Sequence, residues 1–218
     1  MKSLIKLSVC AILAILISLT IDVMPKKIES LEKRVGKHVV SFNVLIMDNK
    51  RYATGFYLKY NDEVYIVTNK HVCDAHKRIY GHKYIQFESY VGEIIAIDNI
   101  HDLCLVTSDR NDGLELAEEE SEPMDELILI GHPRGIGKTI RKGHYISLER
   151  VRAPWIGPGY YDSIQISCQA YGGNSGSPVV NKFGKVAGVL FAGSPAYPGE
   201  PLMVPLSYLQ SFLIQYAR

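Results

Sequence analysis

Between residues 38 and 192 the chain is a succession of short runs rich in Val, Ile, Tyr and Phe, each closed by turn residues. The first group lies at 38–47, 52–60, 63–68, 84–88, 91–98 and 103–107, with Asp48-Asn49 and Asn61-Asp62 among its turns. A second group follows at 127–130, 139–141, 144–151, 164–168, 177–181 and 186–192, and Phe183-Gly184 turns between its last two members. No helical segments alternate with these runs, which argues against a parallel α/β sheet. Only at the end does the spacing change: Leu206, Leu209, Phe212, Leu213 and Tyr216 recur three and four apart, so 206–216 reads as an amphipathic helix. The expectation is an all-β chain, two six-stranded antiparallel β-barrels packed side by side with a C-terminal helix. Residues 37–114 would form the first barrel, and 127–218 the second barrel with the helix. Between them, residues 115–126 are acidic and read as a solvated linker rather than a cation site.

The first 24 residues differ in kind. Lys2 and Lys6 precede an uncharged apolar run from Leu7 to Ile21, and Pro25-Lys26-Lys27 closes it. This is the pattern of a signal peptide or signal anchor. The run, about fifteen residues, is short for a full bilayer crossing. No Ala-x-Ala pattern follows it, and Cys10, after Val9, lies too early for a lipoprotein cysteine. Residues 25–36, charged and ending in glycine, read as a tether. The folded part is therefore expected outside the cytoplasm, secreted or held at a membrane through this segment.

Three short stretches carry chemistry. In 171–178, Tyr-Gly-Gly-Asn-Ser-Gly-Ser-Pro, Ser175 is flanked by glycines that permit a crowded turn exposing a hydroxyl beside backbone N–H groups. A serine hydroxyl needs a base, and the base needs an acceptor that orients it. Of seven histidines, His71 follows the run 63–68 directly, where it can face a cleft from a fixed backbone. Asp102 opens the apolar run 103–107, a costly place for a charge without a partner; His101 beside it would project elsewhere. Each residue also has a plain structural reading: a Gly/Ser/Asn turn, a structural histidine, a strand-end cap.

Other chemistries find little support. His71, His76 and His82, spaced by five and six, share no helix face, and no C-x-x-C pattern joins Cys73, Cys104 or Cys168. No metal or cofactor is called for. Cys104 reads as a small buried hydrophobe, and a disulfide among the three stays open. A net charge of +1 gives no reason to expect nucleic acid.

Taken in order, Thr-Asn-Lys-His-Val (68–72), Asp-Leu-Cys-Leu-Val (102–106) and Gly-Asn-Ser-Gly-Ser-Pro (173–178) resemble the three catalytic blocks of trypsin-like serine proteases, closest to the HtrA/Deg-like branch. Their separations, 31 and 73 residues, agree with that family. Ala-Thr-Gly-Phe-Tyr-Leu (53–58), Ile-Gly-His-Pro-Arg-Gly (130–135), Lys-Gly-His-Tyr-Ile-Ser (142–147) and Met-Val-Pro-Leu (203–206) resemble further family segments, the last leading into the terminal helix. The resemblance implies Ser175 as nucleophile, His71 as base and then acid, and Asp102 as the residue fixing the imidazole tautomer. It implies an oxyanion hole from the N–H groups of Gly173 and Ser175, with Asn174 between them.

The primary pocket would be walled by Cys168, Gln169 and Ala170 on one side and by Leu190, Phe191, Ala192 and Gly193 on the other. Loops 154–162 and 194–201 would flank it. With no aspartate in the six residues before Ser175, the implied preference is a small or medium apolar side chain rather than Lys or Arg. The expected activity is that of a serine endopeptidase forming an acyl-enzyme on unfolded or extended polypeptide, without a cofactor. HtrA-like chains continue into a PDZ module, whereas this sequence stops at Arg218, so regulation by such a module is not expected. Synthesis in an active or self-assembling form is expected, an oligomer remains open, and Arg134 reads as a solvated loop residue rather than an oligomer contact. The competing reading is a protease-fold binding protein, inactive or partner-activated, whose triad is intact but whose oxyanion hole is unformed.

Overall fold

The computed structural model describes residues 31–46, 49–88, 90–152, 159–193 and 199–217. The chain divides into two compact units, Met1–Val35 and Gly36–Arg218. Of the first, the described residues 31–35 are helical. The expected signal segment 1–24 and most of the tether lie outside the described residues.

The second unit holds two closed barrels. In the first, β1 (Val39–Ile46), β2 (Asn49–Tyr60), β3 (Glu63–Thr68), β4 (Tyr84–Phe87), β5 (Tyr90–Asp98) and β6 (Leu103–Thr107) close in the order β1-β2-β3-β6-β5-β4. Side chains alternate on β4, where Ile85 and Phe87 enter the core and Tyr84 and Gln86 face out, as a half-buried strand requires. Asn61 and Asp62, at φ of 50° and 65°, make the two-residue turn that pairs Tyr60 with Glu63.

The second barrel comprises β7 (Glu126–Gly131), β8 (Thr139–Arg152), β9 (Tyr160–Ile166), β10 (Pro178–Asn181), β11 (Val186–Gly193) and β12 (Pro201–Pro205), in the order β10-β11-β12-β9-β8-β7. Each barrel has its own apolar interior, around Ile66, Ile85, Phe87 and Val106 in the first and Leu127, Leu129, Ile166 and Val179 in the second.

Several elements depart from the sequence reading. Lys70–Tyr80 forms a helix, α1, where none was expected; its buried face is Val72, Cys73 and His76, so two of its three inward residues are not strongly apolar types. The runs at 139–141 and 144–151 are one strand, because residues 139–144 pair with β7 and residues 145–152 pair with β9. The segment 203–206, read as the entry to the helix, follows on a strand that was not counted: Pro201–Pro205 is fully buried between β11 and β9. The terminal helix α2 (Leu206–Tyr216) buries Leu206, Leu209, Phe212 and Leu213.

The acidic segment is more than solvated surface. Glu115 pairs with Lys185, and the Glu120 carboxylate accepts the first N–H groups of α2, from Leu206 (2.9 Å) and Ser207 (3.0 Å). An anion there complements the positive end of the helix. Cys104 is not a free hydrophobe: it forms a disulfide with Cys73, joining α1 to β6, while Cys168 is a free buried thiol.

Candidate active site

Strand pairing brings the first two candidate residues together. Thr68, at the end of β3, lies opposite Cys104 near the start of β6, so the chain leaving β3 passes the chain entering β6. His71 falls in the first turn of α1, where backbone N–H groups lack partners inside the helix. Asp102 supplies them: its main-chain oxygen accepts from Lys70 N–H (3.1 Å) and its Oδ1 from His71 N–H (2.9 Å). The other carboxylate oxygen, Oδ2, lies 2.7 Å from His71 Nδ1.

One carboxylate thus grips both the backbone and the ring of the same histidine. A carboxylate accepts, so Nδ1 is the donor, and in the neutral ring Nε2 is then the acceptor. The Asp102 side chain is fully buried, while that of His71 is 30% exposed. Asp102 adopts a left-handed φ of 57°, which a short polar residue tolerates better than most. His101 is engaged elsewhere, with Asp98 (2.8 Å) and stacked on the Tyr208 ring.

Ser175 sits in the turn between β9 and β10. The Gly172 carbonyl accepts from Arg134 N–H (2.7 Å) and the Asn174 carbonyl accepts from Ser177 N–H (2.9 Å). Both of these peptides are trans, so the N–H at the other end of each unit, on Gly173 and on Ser175, points the opposite way. Among the described residues neither N–H has a hydrogen-bond partner. Gly173 has a φ of 101°, and a Cβ there would lie 2.5 Å from the His132 carbonyl oxygen. Gly176 has a φ of 82° and would place a Cβ 2.1 Å from the Thr54 carbonyl oxygen.

His71, Gly172, Gly173 and Ser175 share a cleft of about 350 Å³. Its remaining walls come from strands of the first barrel, Phe42, Arg51, Tyr52 and Ala53, and from α1, Val72 and Ala75. None of the seven residues expected to wall the primary pocket lines this cleft. Cys168 and Leu190 belong to the core of the second barrel, Phe191 is buried, and Ala170 packs partly against that core. Ala192 is half-buried, whereas Gln169 and Gly193 are exposed. The Cys168 thiol donates to the Leu127 carbonyl (3.5 Å), and burial pushes its pKa up to about 12. Of the flanking loops, 153–158 and 194–198 lie outside the described residues, and Tyr160, Tyr161 and Asp162 are part of β9.

The sequence reading missed the first-barrel wall. The one signal pointing to it was the segment 53–58, which contains Ala53 and Thr54. Among the described residues no three His, Cys, Asp or Glu side chains are grouped to hold a metal ion. His76 instead bonds the Tyr84 carbonyl and meets His82 edge-on, and burial lowers its pKa.

Residues 53–189 match the family described as trypsin-like peptidase domain. Over 171 residues the chain is 29% identical to the "Serine protease HtrA-like" protein of Staphylococcus aureus (strain USA300), covering 72% of this chain and 22% of that one. The counterpart from strain NCTC 8325 / PS 47 matches equally. The chain therefore spans about a fifth of the length of these curated relatives. Its fold is similar to that of the Rv3671c protease of M. tuberculosis in its active form, with a TM-score of 0.71, 19% identity, and coverage of 86% of this chain and 84% of that one. It is also similar to the serine endoprotease from Yersinia pestis, with a TM-score of 0.67, 20% identity, and coverage of 86% and 65%.

Proposed function

Because this chain belongs to the trypsin-like peptidase domain family, we propose that it is a serine endopeptidase in which Ser175 is the nucleophile, His71 the general base and Asp102 the residue that orients it. The observation carrying this reading is the double grip of Asp102 on His71, at 2.9 and 2.7 Å, in a cleft that also holds Ser175. Ser175 Oγ attacks the carbonyl carbon of a peptide bond as its proton passes to His71 Nε2. The electron pair displaced from the carbonyl double bond collects on oxygen, which the N–H groups of Gly173 and Ser175 receive. Collapse of this intermediate breaks the C–N bond, the leaving amine takes the proton from His71, and an ester to Ser175 remains. Water, deprotonated by His71, then attacks the ester, releases the carboxyl product and restores the serine.

The substrate class is polypeptide, bound extended along the cleft. On the acyl side we propose a small or medium apolar residue; the absence of any acidic residue from 169 to 174 supports this. Cleavage of a peptide library mainly after Lys or Arg would overturn it. We also propose that the folded unit works outside the cytoplasm, attached to a membrane or secreted. The Cys73–Cys104 disulfide supports this, since such bonds persist in oxidising compartments, and so does the charged-then-apolar N-terminal pattern.

The test is hydrolysis of unfolded casein by the full chain and by Ser175→Ala. The proposal expects turnover by the first and none by the second, with equal thermal stability. Equal, negligible rates for both would make the protein a protease-fold binding protein instead.

A further inference from the structure

We infer that Thr54, a residue of the first barrel, is a positioning residue that holds the Gly172–Ser175 loop of the second barrel in its oxyanion-binding form; this rests on the proposed role of Ser175. Thr54 is fully buried on β2 and bonds the loop at two points and the segment opened by His132 at a third. Its N–H donates to the Ser175 carbonyl (2.8 Å), its Oγ1–H donates to the Gly173 carbonyl (2.8 Å), and its Oγ1 accepts from His132 N–H (3.0 Å). A hydroxyl carries one proton, so with a main-chain N–H on one side and a carbonyl on the other both roles are filled and the direction is set. The Thr54 carbonyl in turn accepts from Thr68 Oγ1 (2.7 Å), three residues before His71. The segment leading to the base and the loop carrying the nucleophile therefore meet in one buried threonine.

The peptide most free to turn is Gly172–Gly173, whose N–H is an oxyanion donor. Nothing lies within 4 Å of a Cβ placed on Gly172, so no side-chain packing restrains it there. Its orientation depends on two anchored carbonyls: Gly172 O on Arg134 N–H, and Gly173 O on the Thr54 hydroxyl. His132, bonded through its N–H to the same hydroxyl, opens the segment that carries Arg134. Removing that hydroxyl strands a buried carbonyl and a buried N–H together, and both segments turn toward other partners.

Thr54→Val keeps the shape and deletes the donor. We expect kcat to fall about 10- to 100-fold with KM within about twofold of wild type, the pattern of an interaction used only in the transition state. Labelling of Ser175 by a fluorophosphonate should slow by the same factor. Thr54→Ala, which places no methyl beside the stranded groups, should give the same loss should the valine not fold. Thr54→Ser should stay within about threefold of wild type, since it retains the hydroxyl. Backbone NMR supplies a readout independent of turnover: Thr54→Val should shift and broaden the Gly173 and Ser175 amides while those of β5 hold their wild-type positions. Unchanged turnover, a loss confined to KM, or unmoved Gly173 and Ser175 amides would overturn the inference. Were wild type itself neither to cleave nor to label, the protease reading would fail, and the amide spectra would decide the Thr54 inference by themselves.

Discussion

The Cys73–Cys104 disulfide offers a perturbation whose size follows from its place in the chain. Its cysteines are 31 residues apart, the same separation as His71 and Asp102, and each lies two residues beyond one member of that dyad. Cross-linking a loop of this length removes unfolded-state entropy worth about 4 kcal/mol at 25 °C in the chain-entropy treatment. For a unit of this size, about 2–4 °C of Tm accompanies each kcal/mol, so reduction should lower Tm by about 8–16 °C. Cys73→Ala, Cys104→Ala and the double variant should each lose most of that amount, because any one of them opens the same loop. The double should fall well short of the sum of the singles. The assay is calorimetric melting of wild type with and without reductant, with alkylation and mass measurement to prove that both thiols are free. Activity measured well below Tm should fall in kcat more than in KM, since α1 and the start of β6 carry the base and its orienting carboxylate. A reduced, doubly alkylatable protein melting within about 2 °C of the oxidised form would refute the reasoning.

Three other outcomes are expected. Gly173→Ala should cost about 3–4 kcal/mol of transition-state stabilisation, a loss of several hundredfold in kcat, because its Cβ would meet the His132 carbonyl and its φ is left-handed; steady-state kinetics on a peptide amide would check it. Burial lowers the pKa of His38, His76 and His132, so the folded state binds these protons less readily than the unfolded chain does. Stability should therefore be full above the unfolded histidine value of about 6.5 and decline as pH falls below it, read as Tm across pH 7.5 to 4.5. A Tm that rose on acidification would contradict it. Cys168, fully buried and with its pKa pushed up to about 12, should resist iodoacetamide at pH 8 in the native protein and react once it is unfolded by urea.

What the sequence disclosed, and what it withheld, follows from how local each feature is. The turn at Asn61-Asp62 and the alternation in β4 are set by neighbouring residues, so both could be read from the chain. The helix α1 could not, since its inward face is built from Cys73 and His76, and its first N–H groups are capped by Asp102, far away in sequence. Strand β12 hid between two prolines and beside the helical spacing that begins at Leu206. The disulfide depends on the register that sets Thr68 opposite Cys104, a long-range pairing no spacing reveals.

The candidate site residues stand out in the sequence for a different reason. His71, Asp102 and Ser175 stand in short motifs whose order and separation resemble a known family, and the structure brings His71 to Asp102 and sets Ser175 in the same cleft. Pocket walls carry no such signature. Leu190 on β11 and Cys168 in the bend after β9 lie in the core of the second barrel, while the described cleft is walled by Phe42 and Tyr52 of the first barrel and by Val72 and Ala75 of α1.

The most direct test of the central claim is covalent labelling of the full chain with a fluorophosphonate, mapped by mass spectrometry. An activated Ser175 beside formed oxyanion donors predicts a single adduct on Ser175 that is lost in His71→Ala and strongly slowed in Asp102→Asn. A folded protein left unlabelled, or labelled equally well without His71, would contradict it.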